Sequence, residues 1–226
     1  MPSRTIHWPN VKWPHVSAIL IGLFVYYSFR TASINEWGDE SETILTARMI
    51  AGGSKLYSGI FNHHGPASFF IPTIIELFGH ASIPVHRIPV IALQLLVGIS
   101  IYRSPIIKAQ IRKFVALAFF LLLVAFSFPA FLGSTMEYET LAGILVCLVL
   151  VKSVLPLIFG ADTSTTSSRK NIFVSGVLVA TLPFLAYIYA PAAVLLGLAF
   201  YSGVNRRFWA SGIAVGIAAN VIRLLS

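Results

Sequence analysis

The chain has 226 residues, of which 57% are hydrophobic and only 11% are charged, with a net charge of +8 and a mean hydropathy of +0.82. Soluble domains carry about 25% charged residues, so this composition excludes an ordinary water-soluble fold and predicts an all-α membrane protein. The basic residues lie between apolar segments rather than on one soluble face, so membrane lipids are expected partners and nucleic acid is not. The single cysteine, Cys147, excludes an intrachain disulfide.

Seven apolar runs follow one another along the chain, and each is a candidate to span a bilayer. They cover residues 16–34, 67–78, 88–102, 114–132, 141–159, 172–204 and 208–225. The first run follows Arg4 and Lys12 and lacks a clean small-x-small cleavage site. We therefore expect an uncleaved first span there rather than a signal peptide.

The run 67–78 is too short to cross a membrane. Its dozen residues would make a helix about 18 Å long, against a hydrocarbon core of about 30 Å. It also contains Pro72 and Glu76. We predict a helix lying at the membrane interface, with Glu76 facing water.

The 33-residue run 172–204 is too long for one untilted span. Pro183 and Pro191 predict a break between them, which gives two shortened helices at about 172–187 and 189–204. The prediction is then seven transmembrane helices, with Lys152 near a helix end, where its side chain can snorkel.

The distribution of charge supports one orientation of these helices. With the N-terminus in the cytoplasm, eleven of the sixteen basic residues lie inside and seven of the eight acidic residues lie outside. The first outer loop is then long, at about residues 31–86. If 67–78 crossed the membrane, the basic segment 103–113 would be external, against the positive-inside rule.

The outer loop begins with an acidic cluster directly after the first span. The periodicity that follows predicts a short interfacial helix with Asp39 or Ser41 as its cap and an end at Gly52. These acids are either capping and solvated charges or a cluster that binds a metal or removes a proton from a hydroxyl. The cluster consists of Glu36, Asp39, Glu40 and Glu42.

Basic and aromatic residues in the same loop would suit a phosphate-bearing headgroup. They are Arg48, Lys55, Tyr57, His63 and His64. Two adjacent histidines cannot easily face one metal from a regular element, so metal ligation is the least favoured role for them. The second outer loop adds Glu137 and Glu139, which either cap the fourth helix or join the first cluster.

The order and spacing of several short motifs give a resemblance to a known family. The motifs are Asp39-Glu40, Ala47, Gly52-Gly53, Leu56-Tyr57, His63-His64-Gly65-Pro66, Leu77-Phe78-Gly79 and Arg87. Together they resemble the first outer loop of GT-C class glycosyltransferases, in the branch that includes protein O-mannosyltransferases and the bacterial aminoarabinose transferase of lipid A.

This resemblance implies transfer of a sugar from a polyprenyl-phosphate carrier to a glycan, lipid or protein acceptor at the outer membrane face. Asp39 would be the catalytic carboxylate, Glu40 its neighbour in the motif, and Glu137 or Glu139 a second acid. No nucleotide cofactor is implied, and the need for a divalent metal is left open. Residues of the first outer loop would bind the carrier phosphate and the sugar. The candidates are Arg48, Lys55, Tyr57, His63, His64 and Arg87. Arg87 opens a span, so it either contacts the phosphate or anchors that span at the membrane interface.

The chain departs from the family pattern at two positions and in its extent. Glu42 stands where some relatives carry Arg. His64 stands where relatives often carry Lys or Arg, and a mostly neutral histidine is a weaker partner for an anion. Residues 1–226 form one GT-C-like module that corresponds to the front half of the family architecture. The chain is then either a short member or one that needs a partner subunit. The alternative function is a non-catalytic accessory subunit or a lipid-carrier translocase.

Overall fold

The computed structural model describes residues 12–34, 38–79, 81–131, 135–160, 165–201 and 206–225. Every regular element of two or more residues in these ranges is helical. The helices are α1 Trp13–Ala32, α2 Asp39–Ala51, α3 Phe70–Leu77, α4 Ile83–Tyr102, α5 Gln110–Phe131, α6 Tyr138–Val149, α7 Leu155–Ile158, α8 Thr166–Leu185, α9 Ala190–Tyr201 and α10 Arg206–Leu225. A 3₁₀ turn, Pro66–Phe69, leads into α3, and a π-helical turn, Leu150–Val154, joins α6 to α7.

Three helices within the described ranges are long and apolar enough to cross a membrane. They are Ile83–Tyr102, Gln110–Ser127 and Tyr138–Ile158. The segment Pro66–Leu77 is helical but belongs to a shorter class, so the predicted helix at 67–78 is present and is too short to span. The chain is accordingly an all-α protein with membrane-spanning character.

Helix α2 begins and ends close to where the sequence predicts. Gly52 follows its last residue, and three acids lie in its first turn, where the helix dipole favours negative charge. The predicted cap is wrong. The N-cap is Gly38, whose φ of 55° and ψ of −132° suit a residue without a Cβ, and no side chain caps the helix. Neither Asp39 nor Ser41 therefore acts as the N-cap.

The predicted break between Pro183 and Pro191 is confirmed. Helix α8 continues through Pro183 to Leu185, Ala186 is extended, and α9 starts at Ala190 after the 3₁₀ turn Tyr187–Tyr189. Helix α8 begins at Thr166, earlier than the predicted 172. The reason is local: the Thr165 side chain accepts a hydrogen bond from the Ser168 backbone N–H and caps the helix there.

The loop before α3 is docked on the end of α8. The Leu185 carbonyl accepts hydrogen bonds from the Gly65 N–H at 2.8 Å and from the Ser68 hydroxyl at 2.9 Å. A helix end leaves its last carbonyls without intrahelical partners, and this loop satisfies one of them. The docking brings the loop from 54 to 69 against the bundle formed by α4, α6 and α8, whose buried apolar residues make up one core.

Gly65→Ala is expected to destabilise the protein by about 1–3 kcal/mol, the usual cost of forcing extra atoms into a packed site. A Cβ at this position would lie 2.0 Å from the Phe184 carbonyl oxygen, so the loop must move away from α8. The check is unfolding in mild detergent, with Gly143→Ala as the matched control. A Cβ on Gly143 meets nothing within 4 Å. Equal stability of the two variants would contradict the docking.

Candidate active site

A buried ion pair organises one end of the bundle. The Arg87 Nε donates to Glu40 Oε1 at 2.9 Å, Nη2 donates to Oε2, and both side chains are fully buried. Arg87 Nη1 also donates to the carbonyls of Ala32 and Ile34, and the Met136 N–H donates to Glu40. One pair thus joins the end of α1, the start of α2, the start of α4 and the loop before α6. We call this end of the bundle the loop end.

A second ion pair, between a buried carboxylate and a partly exposed arginine, lies under α2. The Glu76 carboxylate, with no exposed side-chain surface, accepts from Arg48 Nε at 3.1 Å and lies 2.8 Å from His86 Nε2. The expectation that Glu76 faces water is wrong, because α3 packs its polar side against α2 and α4. Arg48 and Arg87, both predicted partners of the carrier phosphate, are thus each held by a buried carboxylate.

Asp39 and His64 lie side by side at the loop end. Asp39 is the first residue of α2, and its side chain is 39% exposed. Its Oδ2 lies 3.7 Å from His64 Nε2, a buried atom with no hydrogen-bond partner. The His64 side chain is only 1% exposed, and its burial, helped by the adjacent His63, lowers its pKa. His64 is therefore neutral at pH 7 and has a free ring nitrogen next to Asp39.

The His64 backbone is fixed by local hydrogen bonds. The Tyr57 hydroxyl donates to the His64 carbonyl at 2.6 Å, and the Asn62 side chain accepts from the His64 N–H at 2.8 Å. Asn62 in turn donates to Thr46 on α2 at 3.0 Å, which fixes the loop to that helix. The His64 ring stacks at 4.4 Å on Tyr138, the first residue of α6. Tyr57 thus serves to shape the loop.

His63 and Lys55 are the exposed candidates in the loop for contact with a phosphate. His63 Nδ1 lies 3.8 Å from Glu42, and its ring centroid lies 3.9 Å from that of His64. Lys55 is exposed, and its side chain makes no ion pair with any acid in the described ranges.

The two histidines and Asp39 do converge, contrary to the expectation for adjacent residues. One ligand atom from each of the three lies within 4.8 Å of the others. Residues 61–65 form no regular element, so neighbouring side chains are free to turn the same way. These donor types suit a divalent metal such as zinc, although the side chains would have to move closer to coordinate one. The cluster by itself is not evidence of a metal.

Glu137 enters the same site from the second loop. It is the N-cap residue of α6, yet its side chain makes no cap hydrogen bond, and its buried Oε1 has no partner. Burial and the neighbouring Glu139 raise the pKa of the Glu137 carboxyl to about 7, against the opposing effect of a hydrogen bond with Thr135. Asp39 and Glu40 also contribute to this rise, so the two acidic loops share one electrostatic environment.

Aromatic residues that the sequence reasoning missed line the same place. Tyr138 hydrogen-bonds with Glu139, and its ring lies 6.3 Å from that of Tyr189 in the turn between α8 and α9. The signal was present in the sequence, since Tyr138 stands between two acids and Tyr189 lies in the proline-marked break. The loop end therefore combines carboxylates, one neutral imidazole and two tyrosines.

Glu137 is expected to make stability depend on pH. Its folded-state pKa of about 7 exceeds the usual value of 4.5, so the folded state favours the protonated carboxyl. That contribution is complete below about pH 4.5 and is lost as the pH rises through 7. Glu137→Gln should remove this fall. The measurement is the difference in Tm between wild type and Glu137→Gln from pH 4.5 to 8. Taking the difference removes the contribution of His64, whose lowered pKa makes stability rise with pH in both proteins. A difference in Tm that stays constant with pH would contradict the prediction.

The arrangement can accept or donate a proton and can hold a polar ligand against aromatic rings. Asp39 is accessible, Glu137 is half-buried with a raised pKa, and His64 offers an unpaired ring nitrogen. Comparison of the chain with protein-family models, curated proteins and solved structures found no match.

Proposed function

We propose that this chain is a membrane glycosyltransferase that moves a sugar from a polyprenyl-phosphate carrier to an acceptor hydroxyl, with Asp39 as the catalytic carboxylate. The observation that carries the proposal is the convergence of Asp39 with Glu137 and Glu139. The two acidic loops are about a hundred residues apart in sequence, yet Asp39 and Glu139 both act on the charge of Glu137 and of His64. Solvated acids that serve only topology have no reason to converge on a buried, unpaired histidine.

The proposed reaction needs one general base at the site. The acceptor oxygen forms a bond to the anomeric carbon of the sugar, the bond from that carbon to the phosphate oxygen breaks, and the phosphate leaves on its carrier. Asp39 takes the acceptor proton, and the adjacent His64 nitrogen orients the Asp39 carboxyl or the acceptor by a hydrogen bond. The tyrosine pair provides a wall against which a sugar ring can pack.

The state of Glu137 bears on donor binding. A phosphate-bearing donor would be repelled by several ionised carboxylates at short range. With a pKa of about 7, Glu137 is largely protonated at slightly acidic pH, which reduces the negative charge beside Asp39. Arg87 is buried in its pair with Glu40, and Arg48, although 39% exposed, is held by the buried Glu76 carboxylate. We therefore assign contact with the carrier phosphate to the exposed Lys55 and His63.

The proposal includes the topology predicted from charge. With a cytoplasmic N-terminus and α1 as the first span, the loop end lies at the outer face, where a polyprenyl-linked sugar and its acceptor would meet. Helix α9 has only 12 residues and belongs to the same shorter class as Pro66–Leu77, but this placement does not depend on α9 crossing the membrane. Helices α1, α8 and α10 are each 20 residues long, a length sufficient for a span. The Glu40–Arg87 pair joins the Asp-Glu and Arg motifs on which the resemblance to GT-C enzymes rests.

The test is a transfer assay on the purified full chain in proteoliposomes. Polyprenyl-phosphate sugars labelled in the sugar are supplied with glycan, lipid and peptide acceptors, and the labelled product is counted. Transfer that requires the carrier-linked donor supports the proposal. No transfer from any donor, by protein that remains folded and monodisperse, would favour the accessory-subunit or translocase alternative.

A further inference from the structure

A cavity with both polar and apolar lining lies at the end of α4 opposite the candidate active site. It has a volume of ≈ 590 Å³ and is bordered by the end of α4, the π-helical turn after α6 and the start of α8. Arg103 follows α4 directly, sixteen residues beyond Arg87, which corresponds to about 24 Å along a helix. The cavity is therefore separate from the loop end.

Among the residues that the structure describes, two basic side chains line this cavity and no carboxylate does. They are Arg103 and Lys152. Among the described residues neither side chain takes part in an ion pair. The described lining is therefore net positive and favours the binding of an anion.

The position of Lys152 is the strongest part of this observation. It lies six residues before the end of the membrane-spanning helix Tyr138–Ile158, about 9 Å along its axis. An ionisable residue within a span is costly and is a functional candidate by default. It also belongs to a π-helical turn, a rare feature that is frequent at functional sites. The expectation that Lys152 simply snorkels from a helix end leaves this cavity unexplained.

Neutral hydrogen-bonding groups complete an anion site. Ser104 is buried in the cavity wall, and Thr165, Ser168 and Asn171 line it from the first turns of α8. The N-terminus of this 20-residue helix adds a favourable dipole for negative charge. Arginine and lysine together with hydroxyl and amide groups match the oxygens of a phosphate group.

The apolar part of the lining favours a ligand that has both a charged group and a hydrocarbon chain. Leu96 and Ile99 line the same cavity and are 42% and 36% exposed on a helix long enough to span the membrane. Val151 adds apolar surface on the facing helix. A ligand that fits has a phosphate next to Arg103 and Lys152 and hydrocarbon along Leu96 and Ile99. We propose that this cavity binds the phosphate headgroup of an anionic membrane lipid, a site that does not depend on the proposed transferase activity.

The test is lipid binding by the purified full chain in a nonionic detergent, measured by native mass spectrometry and by Tm. The probes are phosphatidic acid, phosphatidylcholine and inorganic phosphate. Phosphatidic acid should bind and raise the Tm, whereas Lys152→Gln and Arg103→Gln should each weaken its binding about tenfold. Lys152→Arg should retain binding. Arg112→Gln is the matched control, because Arg112 is an exposed cation on α5 that does not line the cavity.

The three probes distinguish a site for an anionic lipid from a site for a free anion or for any phospholipid. Equal binding of phosphatidic acid by wild type and both glutamine variants would overturn the proposal, and so would equal binding of phosphatidylcholine. Inorganic phosphate that binds as tightly as the lipid would identify a free anion and overturn the lipid assignment. Should Lys152→Gln fail to fold, Arg103→Gln still decides, because Arg103 is exposed beyond the end of α4.

Discussion

Asp39→Asn is expected to lower the rate of sugar transfer by about 10²–10⁴-fold, the range over which a positioned general base contributes. The amide keeps the size of the side chain but cannot take the acceptor proton. The fold should survive, because Asp39 is partly exposed and provides no cap for α2, whose N-cap is Gly38. The loss should therefore appear in kcat, with the Tm and the elution volume of the protein unchanged.

Glu42→Gln is the matched control for this experiment. Glu42 lies in the same helical turn, is similarly exposed at 41%, and lies 3.8 Å from His63. Its loss should leave most of the transfer rate intact. A rate for Asp39→Asn equal to that of wild type would remove Asp39 from the mechanism. Equal losses in both variants would instead indicate a general need for negative charge in this turn.

Local features of the fold were predictable from the sequence because their causes are local. The end of α2 follows from Gly52, and the break after α8 follows from two prolines eight residues apart. The short helix Pro66–Leu77 is excluded from spanning by length alone. Each of these conclusions needs only the residues within one or two helical turns.

The roles of the buried charges were not predictable in the same way. Glu40 and Arg87 are 47 residues apart, and Arg48 and Glu76 are 28 apart, so pairing depends on how α2 packs against α3 and α4. The motifs identified these residues as candidates without showing that two of the cations are bound by carboxylates. The sequence does contain a signal for another missed contact. Gly212 and Gly216 have the spacing of a close helix–helix crossing, and a Cβ on Gly212 would lie 2.1 Å from the Phe173 carbonyl oxygen of α8.

The sequence predicted which residues belong to the candidate site better than it predicted their arrangement and environment. Asp39, His64 and Glu137 were all named from the sequence, but the free ring nitrogen of His64 and the raised pKa of Glu137 arise from burial. Burial in a loop depends on which helix the loop packs against, and here the end of α8 holds the loop through the Gly65 and Ser68 hydrogen bonds to Leu185. The tertiary fold thus determines which of many polar loop residues become chemically distinctive.

Removal of either partner of the Glu40–Arg87 pair is expected to destabilise the protein by about 3–5 kcal/mol, the usual cost of leaving a buried charge without its partner. Both Glu40→Gln and Arg87→Met leave one charge in a fully buried place. Arg87→Met also removes hydrogen bonds to the carbonyls of Ala32 and Ile34 at the end of α1. It should therefore be the more damaging of the two. The measurement is the free energy of unfolding in mild detergent.

The double variant distinguishes a true pair from two independent residues. With both charges gone, Glu40→Gln/Arg87→Met should cost clearly less than the sum of the single changes, because no unpaired charge remains. Arg30→Met is the matched control, since Arg30 is exposed on α1 and should shift stability by less than about 0.5 kcal/mol. Additive effects in the double variant would show that the two side chains do not act together. Coupling would explain why the loop end needs both residues: the pair fixes the start of α2, and the start of α2 is where Asp39 lies.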